Sequence, residues 1–286
     1  SFQADDVIRD TNSGLVGSEM CIRDRDMTPA QSAESEGRRL VARLSDGGLS
    51  ADQLRSLDAQ QIVAALEGFQ VPIVDGTSLP EEPGILFRRG KQARVPFITG
   101  GNSYEGSVMP ASGIGEMEYL GWFKGDEARA RELYARDFAA GSSAGIRRLF
   151  GDNRYLLAAI VHGQGAAAAG SPTWLYYVDY DFSNGQQPAG TPHGTDGYLL
   201  FGGERSRAAG VRALTGRLRD YWLNFVRTGD PNGVPLSRWS PVGAEPCWLV
   251  LGSKDEMRCG VIAEKLDLLV ERYERRIAPL AVRSQP

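Results

Sequence analysis

Two glycine-rich loops carry the ionisable side chains whose types and order could support acyl-transfer chemistry. The first, GGNSYEG, contains Glu105 and follows the short apolar segment VPFIT at 95–99. The second, AGTPHGTDGYLLFG, contains His193 and Asp196 and comes after the aromatic segment WLYYVDYDF at 174–182. Because the carboxyl ends of parallel strands meet at one edge of a sheet, we expect Glu105 and His193 to lie close together. Such a pair predicts an acid that orients a histidine, and a histidine that acts as general base.

The segments around these loops alternate between strand and helix patterns. Apolar or aromatic runs typical of buried strands occupy 95–99, 174–182 and 248–251. Amphipathic or alanine-rich periodicity predicts helices over 30–44, 49–66, 127–139, 155–169, 211–227 and 264–277. Strands that alternate with helices predict an α/β fold, with a mostly parallel sheet flanked by helices in a single domain.

Three longer motifs follow one another along the chain. The segment at 71–106 contains the elements P-x-V-D-G and V-P-x-x-x-G, carried by Pro72, Val74, Asp75, Gly76, Val95, Pro96 and Gly100. The segment GTPHGTDGYLLFG at 190–202 ends on Phe201-Gly202, and YWLNFVRTGDPNGVPLSRWSP at 221–241 includes Thr228 to Asn232. In this order the motifs resemble the C-terminal half of a type-B carboxylesterase, the cholinesterase-like branch of the α/β-hydrolases.

The resemblance implies a fold and a set of roles. The fold would be an α/β-hydrolase fold truncated to its C-terminal part, and the activity would be hydrolysis of a small-molecule carboxylic ester through an acyl-enzyme. Glu105 would be the acid of the catalytic triad and His193 its base, with Asp196 at the position where the family carries a further acidic residue. No metal or organic cofactor is implied. The alternative is a non-catalytic cholinesterase-like domain that serves binding or adhesion.

The third triad member should be a serine in a G-x-S-x-G elbow upstream of the acid. No such elbow lies between Asp26 and Glu105. One match exists elsewhere, GSSAG at 141–145, with Ser143 at its centre. It follows a helical segment and lies after the acid, whereas an elbow needs a strand-to-helix turn, so we interpret it as a turn between helices. The sequence therefore predicts that this chain lacks the nucleophile and the oxyanion loop, and is inactive by itself.

The first 25 residues differ in character from the rest. Residues 14–25, GLVGSEMCIRDR, resemble a translated adapter of the kind used to prepare sequencing libraries. We therefore expect 1–25 to be non-native and 26–286 to be the C-terminal part of a longer carboxylesterase domain. With the native N-terminus absent, the sequence does not assign a compartment, although secretion or a periplasmic location would fit the family.

Composition excludes several classes of protein. The 286 residues include 32 basic and 36 acidic side chains, for a net charge of -4, and no basic cluster predicts nucleic-acid binding. No apolar run is long enough to span a membrane, and the oligomeric state is not readable.

Other residues with chemical potential have structural interpretations. His162 is expected to be a surface or packed histidine of its helix, Asp230 to belong to a turn, and the aromatic cluster of Tyr119, Trp122 and Phe123 to form core rather than a substrate pocket. Cys247 and Cys259 flank a strand, and a disulfide and a reduced pair both remain open.

Overall fold

The structure is a computed structural model that describes residues 33–66, 74, 77–182 and 190–283. Several predicted features lie outside the described residues: the segment 1–25, the start of the first predicted helix, and the motif residues Pro72, Asp75 and Gly76. The origin of 1–25 and the extent of the native domain therefore stay predictions. Within the described ranges, no helix combines the length and the hydropathy that crossing a bilayer requires.

In the part of the chain that the structure describes, four strands form one sheet in the order β1-β2-β3-β4. Strands β1 (Phe97–Asn102), β2 (Thr173–Val178) and β3 (Cys247–Leu251) are parallel, and β4 (Asp255–Cys259) runs antiparallel to β3. The predicted α/β architecture with a mostly parallel sheet is confirmed.

The first strand begins later and ends later than VPFIT suggests. Val95 and Pro96 precede it, and the two glycines that were expected to follow the strand lie within it, where Gly100 and Gly101 pair with Tyr176 and Tyr177. A Cβ on Gly100 would lie 2.1 Å from the Tyr176 carbonyl oxygen, so the close pairing depends on the absence of a side chain.

Strand β4 was not predicted, because its sequence DEMRC is charged and mostly exposed, as suits the edge of a sheet. Its register pairs Cys259 with Cys247 across from it, and the two cysteines form a disulfide. The structure thus resolves the question that the sequence left open for these cysteines.

The sheet separates two cores, which explains why its central strands are apolar throughout. Alternate residues of β2 and β3, among them Leu175 and Trp248, join a core formed with the helices on one face. The residues between them, including Trp174 and Leu249, pack on the opposite face against Leu214 and its helical neighbours.

In chain order, the helices of the described residues are α1 (Ala33–Leu44), α2 (Ala51–Ser56), α3 (Ala59–Ala65), α4 (Pro83–Arg88), α5 (Glu116–Gly121), α6 (Glu127–Leu133), α7 (Ala135–Ala139), α8 (Ser142–Gly151), α9 (Leu157–Ala168), α10 (Thr195–Phe201), α11 (Ala209–Thr228) and α12 (Ala263–Arg283). Two 3₁₀ helices, Glu105–Ser112 and Gly203–Arg205, and a π-helix, Asp152–Leu156, complete them.

Three predicted helices have different boundaries in the structure. The segment 49–66 forms two helices rather than one, because Leu57 is extended and Asp58 caps the second, accepting a hydrogen bond from the Gln60 N–H at 2.7 Å. The segment 127–139 is interrupted at Tyr134. The segment 155–169 starts inside the π-helix, and its α-helical part begins at Leu157.

Candidate active site

Glu105 lies directly beyond the carboxyl end of β1 and is the first residue of the 3₁₀ helix. Its side chain is only 3% exposed. One carboxylate oxygen, Oε1, accepts two hydrogen bonds from Asn102, from the backbone N–H at 2.6 Å and from Nδ2 at 2.9 Å. The next residue must be glycine, since a Cβ on Gly106 would lie 1.8 Å from the carbonyl oxygen of Arg147. The acid is therefore buried and held in one orientation.

Arg148 supports the turn that leads into Glu105. Its guanidinium donates to the carbonyl oxygen of Ser103 and to Asp137 Oδ1, and it stacks over the ring of Tyr104 at 4.8 Å. Arg148 thus holds Ser103 and Tyr104, the two residues between Asn102 and Glu105, in place.

The loop that carries His193 is fastened to the ends of both β1 and β2 through Thr191. The Thr191 N–H donates to Ser103 Oγ at 2.8 Å, and its hydroxyl accepts from the Tyr180 N–H at 2.7 Å. Gly190 precedes it with φ 97°, where a Cβ would lie 2.6 Å from Ser103 Oγ. The N–H of His193 itself donates to Ser107 Oγ at 2.8 Å.

The structure brings the two sequence-predicted site residues into contact. Nδ1 of His193 lies 2.5 Å from Oε2 of Glu105, the carboxylate oxygen that Asn102 leaves unoccupied. The histidine side chain is 35% exposed, and it lines an open cavity of about 260 Å³ with Phe182, Pro192, Gly194, Thr195 and Tyr198. No described side chain forms a hydrogen bond to its second ring nitrogen, Nε2.

The environment of His193 favours its charged form. Burial, the largest single effect, lowers the pKa of the imidazole, but the hydrogen bond and the charge of Glu105, together with the charge of Asp196, outweigh it. The pKa of His193 is therefore raised above its ordinary 6.5 despite the opposing charge of Arg154.

Three side chains of the site have no distinct signal in the sequence. Tyr155 places its ring 4.6 Å from the imidazole of His193, and it does so from a π-helix, a feature that often marks functional sites. Asn102 and Tyr176 both hydrogen-bond to Asp196, through Asn102 Nδ2 at 3.0 Å and the Tyr176 hydroxyl at 2.7 Å. The aromatic and amide residue types were visible, but their convergence depends on strand register.

Ser143 is not part of this site. It lies in the first turn of α8, after the turn at Gly141 that separates α7 from α8, and its hydroxyl donates to Glu116 Oε1 at 2.7 Å. The GSSAG match therefore follows a helix instead of a strand, as the sequence context indicates. No hydrogen bond joins Ser143 to His193 in the described structure.

The remaining candidates have the structural roles that the sequence suggests. His162 is 1% exposed and stacks on Phe87, so it is packed and not at the surface. Tyr119 and Phe123 are fully buried in the core, and Trp122 is half-buried against it. Asp230 Oδ1 accepts from the Asn232 N–H in the turn after α11.

The described part of the chain contains one cluster of potential metal-binding atoms, formed by Glu245, Cys247 and Cys259. Both cysteine sulfurs are joined in the disulfide, so neither offers a thiolate to a metal ion.

Comparison with known proteins identifies the family. The sequence model of the Carboxylesterase family matches residues 11–268. The chain belongs to the carboxylesterase family. Among curated relatives, mouse Carboxylesterase 1E is 25% identical over 213 residues, covering 65% of this chain and 38% of that protein. Secreted lipase 1 of Botryotinia fuckeliana is 29% identical over 197 residues, covering 59% and 33%.

Solved carboxylesterase structures share the fold of this family member. The Geobacillus stearothermophilus carboxylesterase superposes with a TM-score of 0.68 at 18% identity, covering 89% of this chain and 61% of that one. A structure described as PNB esterase gives 0.66 at 20% identity, covering 86% and 55%. The chain spans about two fifths of the length of the curated relatives it matches. Its fold is the α/β-hydrolase fold.

Proposed function

We propose that this carboxylesterase-family chain supplies the acid and the base of a serine hydrolase that cleaves carboxylic esters, with Glu105 as acid and His193 as base. The contact between His193 Nδ1 and Glu105 Oε2 at 2.5 Å carries the proposal. The imidazole then has one hydrogen-bonded nitrogen and a second nitrogen, Nε2, without a partner among the described residues, which is the arrangement a general base needs.

The proposed chemistry follows from these two nitrogens. As a serine hydroxyl attacks the ester carbonyl carbon, Nε2 of His193 takes the hydroxyl proton, and the Nδ1 proton stays hydrogen-bonded to Glu105. The buried carboxylate stabilises the imidazolium that forms. The imidazolium then protonates the departing alcohol oxygen, and the same histidine activates water to hydrolyse the acyl-enzyme.

The nucleophile is proposed to come from a segment of a longer protein. Among the described strands, β1 is paired on one side only, with β2. A parallel strand added on its other side would end at the edge of the sheet where Glu105 and His193 lie. A G-x-S-x-G turn after such a strand would present its serine to Nε2, in the chain order serine, acid, histidine.

The proposed substrate is a small-molecule carboxylic ester. The open cavity beside His193 is mostly apolar in its lining, with the exposed rings of Phe182 and Tyr198 on it. Such a surface suits the hydrocarbon part of an ester more than a charged ligand. The curated relatives that match are named as carboxylesterases and a secreted lipase.

The test compares the 286-residue chain with a longer protein made by joining 26–286 to its genomic upstream sequence. We expect the chain to leave a small aryl ester intact and the longer protein to hydrolyse it. His193→Ala in the longer protein should reduce kcat/KM by several orders of magnitude. Hydrolysis by the 286-residue chain that Ser143→Ala abolishes would contradict the proposal, as would near-unchanged rates in the His193→Ala variant.

The alternative, a non-catalytic binding or adhesion domain, makes a different prediction for the upstream sequence. It expects no strand followed by G-x-S-x-G there, whereas the hydrolase proposal requires one. The contact between the buried Glu105 carboxylate and the partly exposed His193 imidazole favours the hydrolase, because a binding domain has no need to hold a carboxylate against an imidazole.

A further inference from the structure

Asn102, the last residue of β1, is a buried amide whose hydrogen-bonding groups are all used at the site. It is 1% exposed. Its two Nδ2 protons are directed at two different carboxylates, Glu105 Oε1 at 2.9 Å and Asp196 Oδ1 at 3.0 Å. Its Oδ1 accepts from the Asp196 N–H at 3.2 Å. One side chain therefore joins the loop of the acid to the helix that begins two residues after His193.

The pattern of bonds decides which oxygen of Glu105 faces the histidine. Both donors of Asn102, the backbone N–H at 2.6 Å and Nδ2, are bonded to Oε1. Oε2 is left for His193 Nδ1. A carboxylate that rotates freely could present either oxygen at various angles, whereas this one has a single favourable orientation.

The second carboxylate, Asp196, is held just as firmly without touching the imidazole. It lies in the first turn of α10, and its Oδ2 accepts from the hydroxyl of Tyr176 at 2.7 Å. Burial and the negative charge of Asp196 raise the pKa of Tyr176 well above 10, so the hydroxyl stays protonated and donates. Asp196 thus adds a fixed negative charge near His193.

An asparagine is the residue type that this position requires. Its amide can donate to two carboxylates at once and accept from a backbone N–H. A leucine of similar size would leave Glu105 Oε1 with the backbone donor alone, and an aspartate would place a third carboxylate against two others.

We propose that Asn102 is a positioning residue, which clamps Glu105 Oε1 and Asp196 together so that Glu105 Oε2 is held on His193 Nδ1. The inference rests on the proposed function for its catalytic meaning, but the clamp is a property of the 286-residue chain and can be measured there. It acts through Glu105 and does not touch the reacting atoms.

The measurement is NMR of the chain labelled with ¹⁵N and ¹³C at its two histidines. In the wild type we expect a far-downfield Nδ1–H resonance from His193, protected by Glu105. We also expect an imidazole titration midpoint above 6.5. The groups that face this imidazole are Glu105, Asp196, Arg154 and the ring of Tyr155.

Asn102→Leu should remove the downfield resonance and lower the titration midpoint of His193, because the Glu105 carboxylate is then no longer held on Nδ1. Asn224→Leu is the matched control. It removes a half-buried amide that bonds to the Pro231 carbonyl oxygen in the turn after α11, and it should leave both readouts unchanged.

Asn102→Asp keeps the shape of the side chain and guards against misfolding of the leucine variant. The introduced carboxylic acid can donate one hydrogen bond while it is protonated, and none once it ionises. We therefore expect the downfield resonance at low pH and its loss as pH rises, whereas the wild type retains it. A role in packing alone would produce no such pH dependence.

The proposal is overturned if the Asn102→Leu variant, folded by circular dichroism, keeps the resonance and an unchanged or higher midpoint. It is also overturned if the Asn102→Asp variant behaves like the wild type at every pH. These readouts need no turnover, so they separate the two hypotheses. If the longer protein is inactive but its resonance depends on Asn102, only the proposed esterase activity is refuted. If the longer protein is active but its resonance does not depend on Asn102, only the positioning role of Asn102 is refuted.

Discussion

His162 is expected to make the chain sensitive to acid. It lies in α9, is 1% exposed, and stacks on Phe87 with ring centroids 4.5 Å apart. Its Nε2 is buried without a hydrogen-bond partner among the described residues. Burial lowers the pKa of His162 from 6.5 to about 4, and no carboxylate in the described ranges opposes this effect.

The sign and size of the effect follow from linkage. Between the folded pKa of about 4 and the unfolded value near 6.5, the unfolded state binds a proton that the folded state does not. The contribution to the free energy of unfolding is fully present above the unfolded pKa and is lost as pH falls through this window. From about pH 7 to about pH 4.5, His162 alone should cost the chain about 2 kcal/mol.

The assay is guanidinium unfolding of the wild type and His162→Leu at both pH values. Other groups titrate in the same range, so the quantity compared is the change in the free energy of unfolding with pH in each protein. Leucine is apolar and close in volume, and should reduce the loss on acidification by about 2 kcal/mol. Parallel losses in the two proteins would refute the reasoning, and so would a His162 imidazole that titrates near 6.5 by NMR.

Three further outcomes test other parts of the structure. Gly101→Ala should displace Glu105 and abolish the downfield Nδ1–H resonance of His193, since a Cβ would lie 2.8 Å from Glu105 Oε1; a retained resonance would show that the site tolerates the methyl. Glu105→Gln should lower the pKa of His193, because the neutral amide removes the carboxylate charge that favours the imidazolium. In the wild type, the His193–Glu105 contact stabilises the fold below pH 6.5, and this stabilisation is lost as pH rises through the folded pKa of His193. The Glu105→Gln variant should lack this pH-dependent part of the free energy of unfolding, which denaturant unfolding at several pH values would measure. Replacing Cys247 and Cys259 by serine should lower the free energy of unfolding by about 3 kcal/mol by denaturant titration, since the bridge closes a short loop; an unchanged midpoint under non-reducing conditions would contradict this.

The sequence predicts those features whose cause is local. The periodicity of α11 and its stop at Gly229 depend on neighbouring residues, and both are confirmed. The aromatic run at 174–182 correctly predicts β2, but the strand ends at Val178, four residues before the run does. Strand β4 could not be found in this way, because a charged edge strand is defined by the strand beside it and not by its own pattern. The break at Leu57 depends on a cap at Asp58 that competes with a continuous helical pattern.

The residues of the candidate site likewise include some that local sequence indicates and others that only the fold brings together. Glu105 and His193 could be selected as candidates from the sequence because each follows a strand-like segment in a loop of small residues. Asn102 stands in the same GGNSYEG segment, yet its role depends on Asp196, which is 94 residues further along the chain. Only the parallel register of β1 and β2 brings these residues to one edge of the sheet. Residue types can therefore indicate the proposed acid and base, whereas the groups that orient them require the fold.

The two histidines of the chain show why environment, more than residue type, assigns a role. Burial by itself acts to lower the pKa of both imidazoles, but the net result differs between them. His162 stacks on Phe87, and burial is the one effect on its pKa among the described residues, so it stays neutral through the physiological range and serves packing. His193 has Glu105 in contact and Asp196 nearby, and its pKa rises instead. A base must bind a proton in the course of the reaction, and only the histidine with carboxylate neighbours is stabilised in that form.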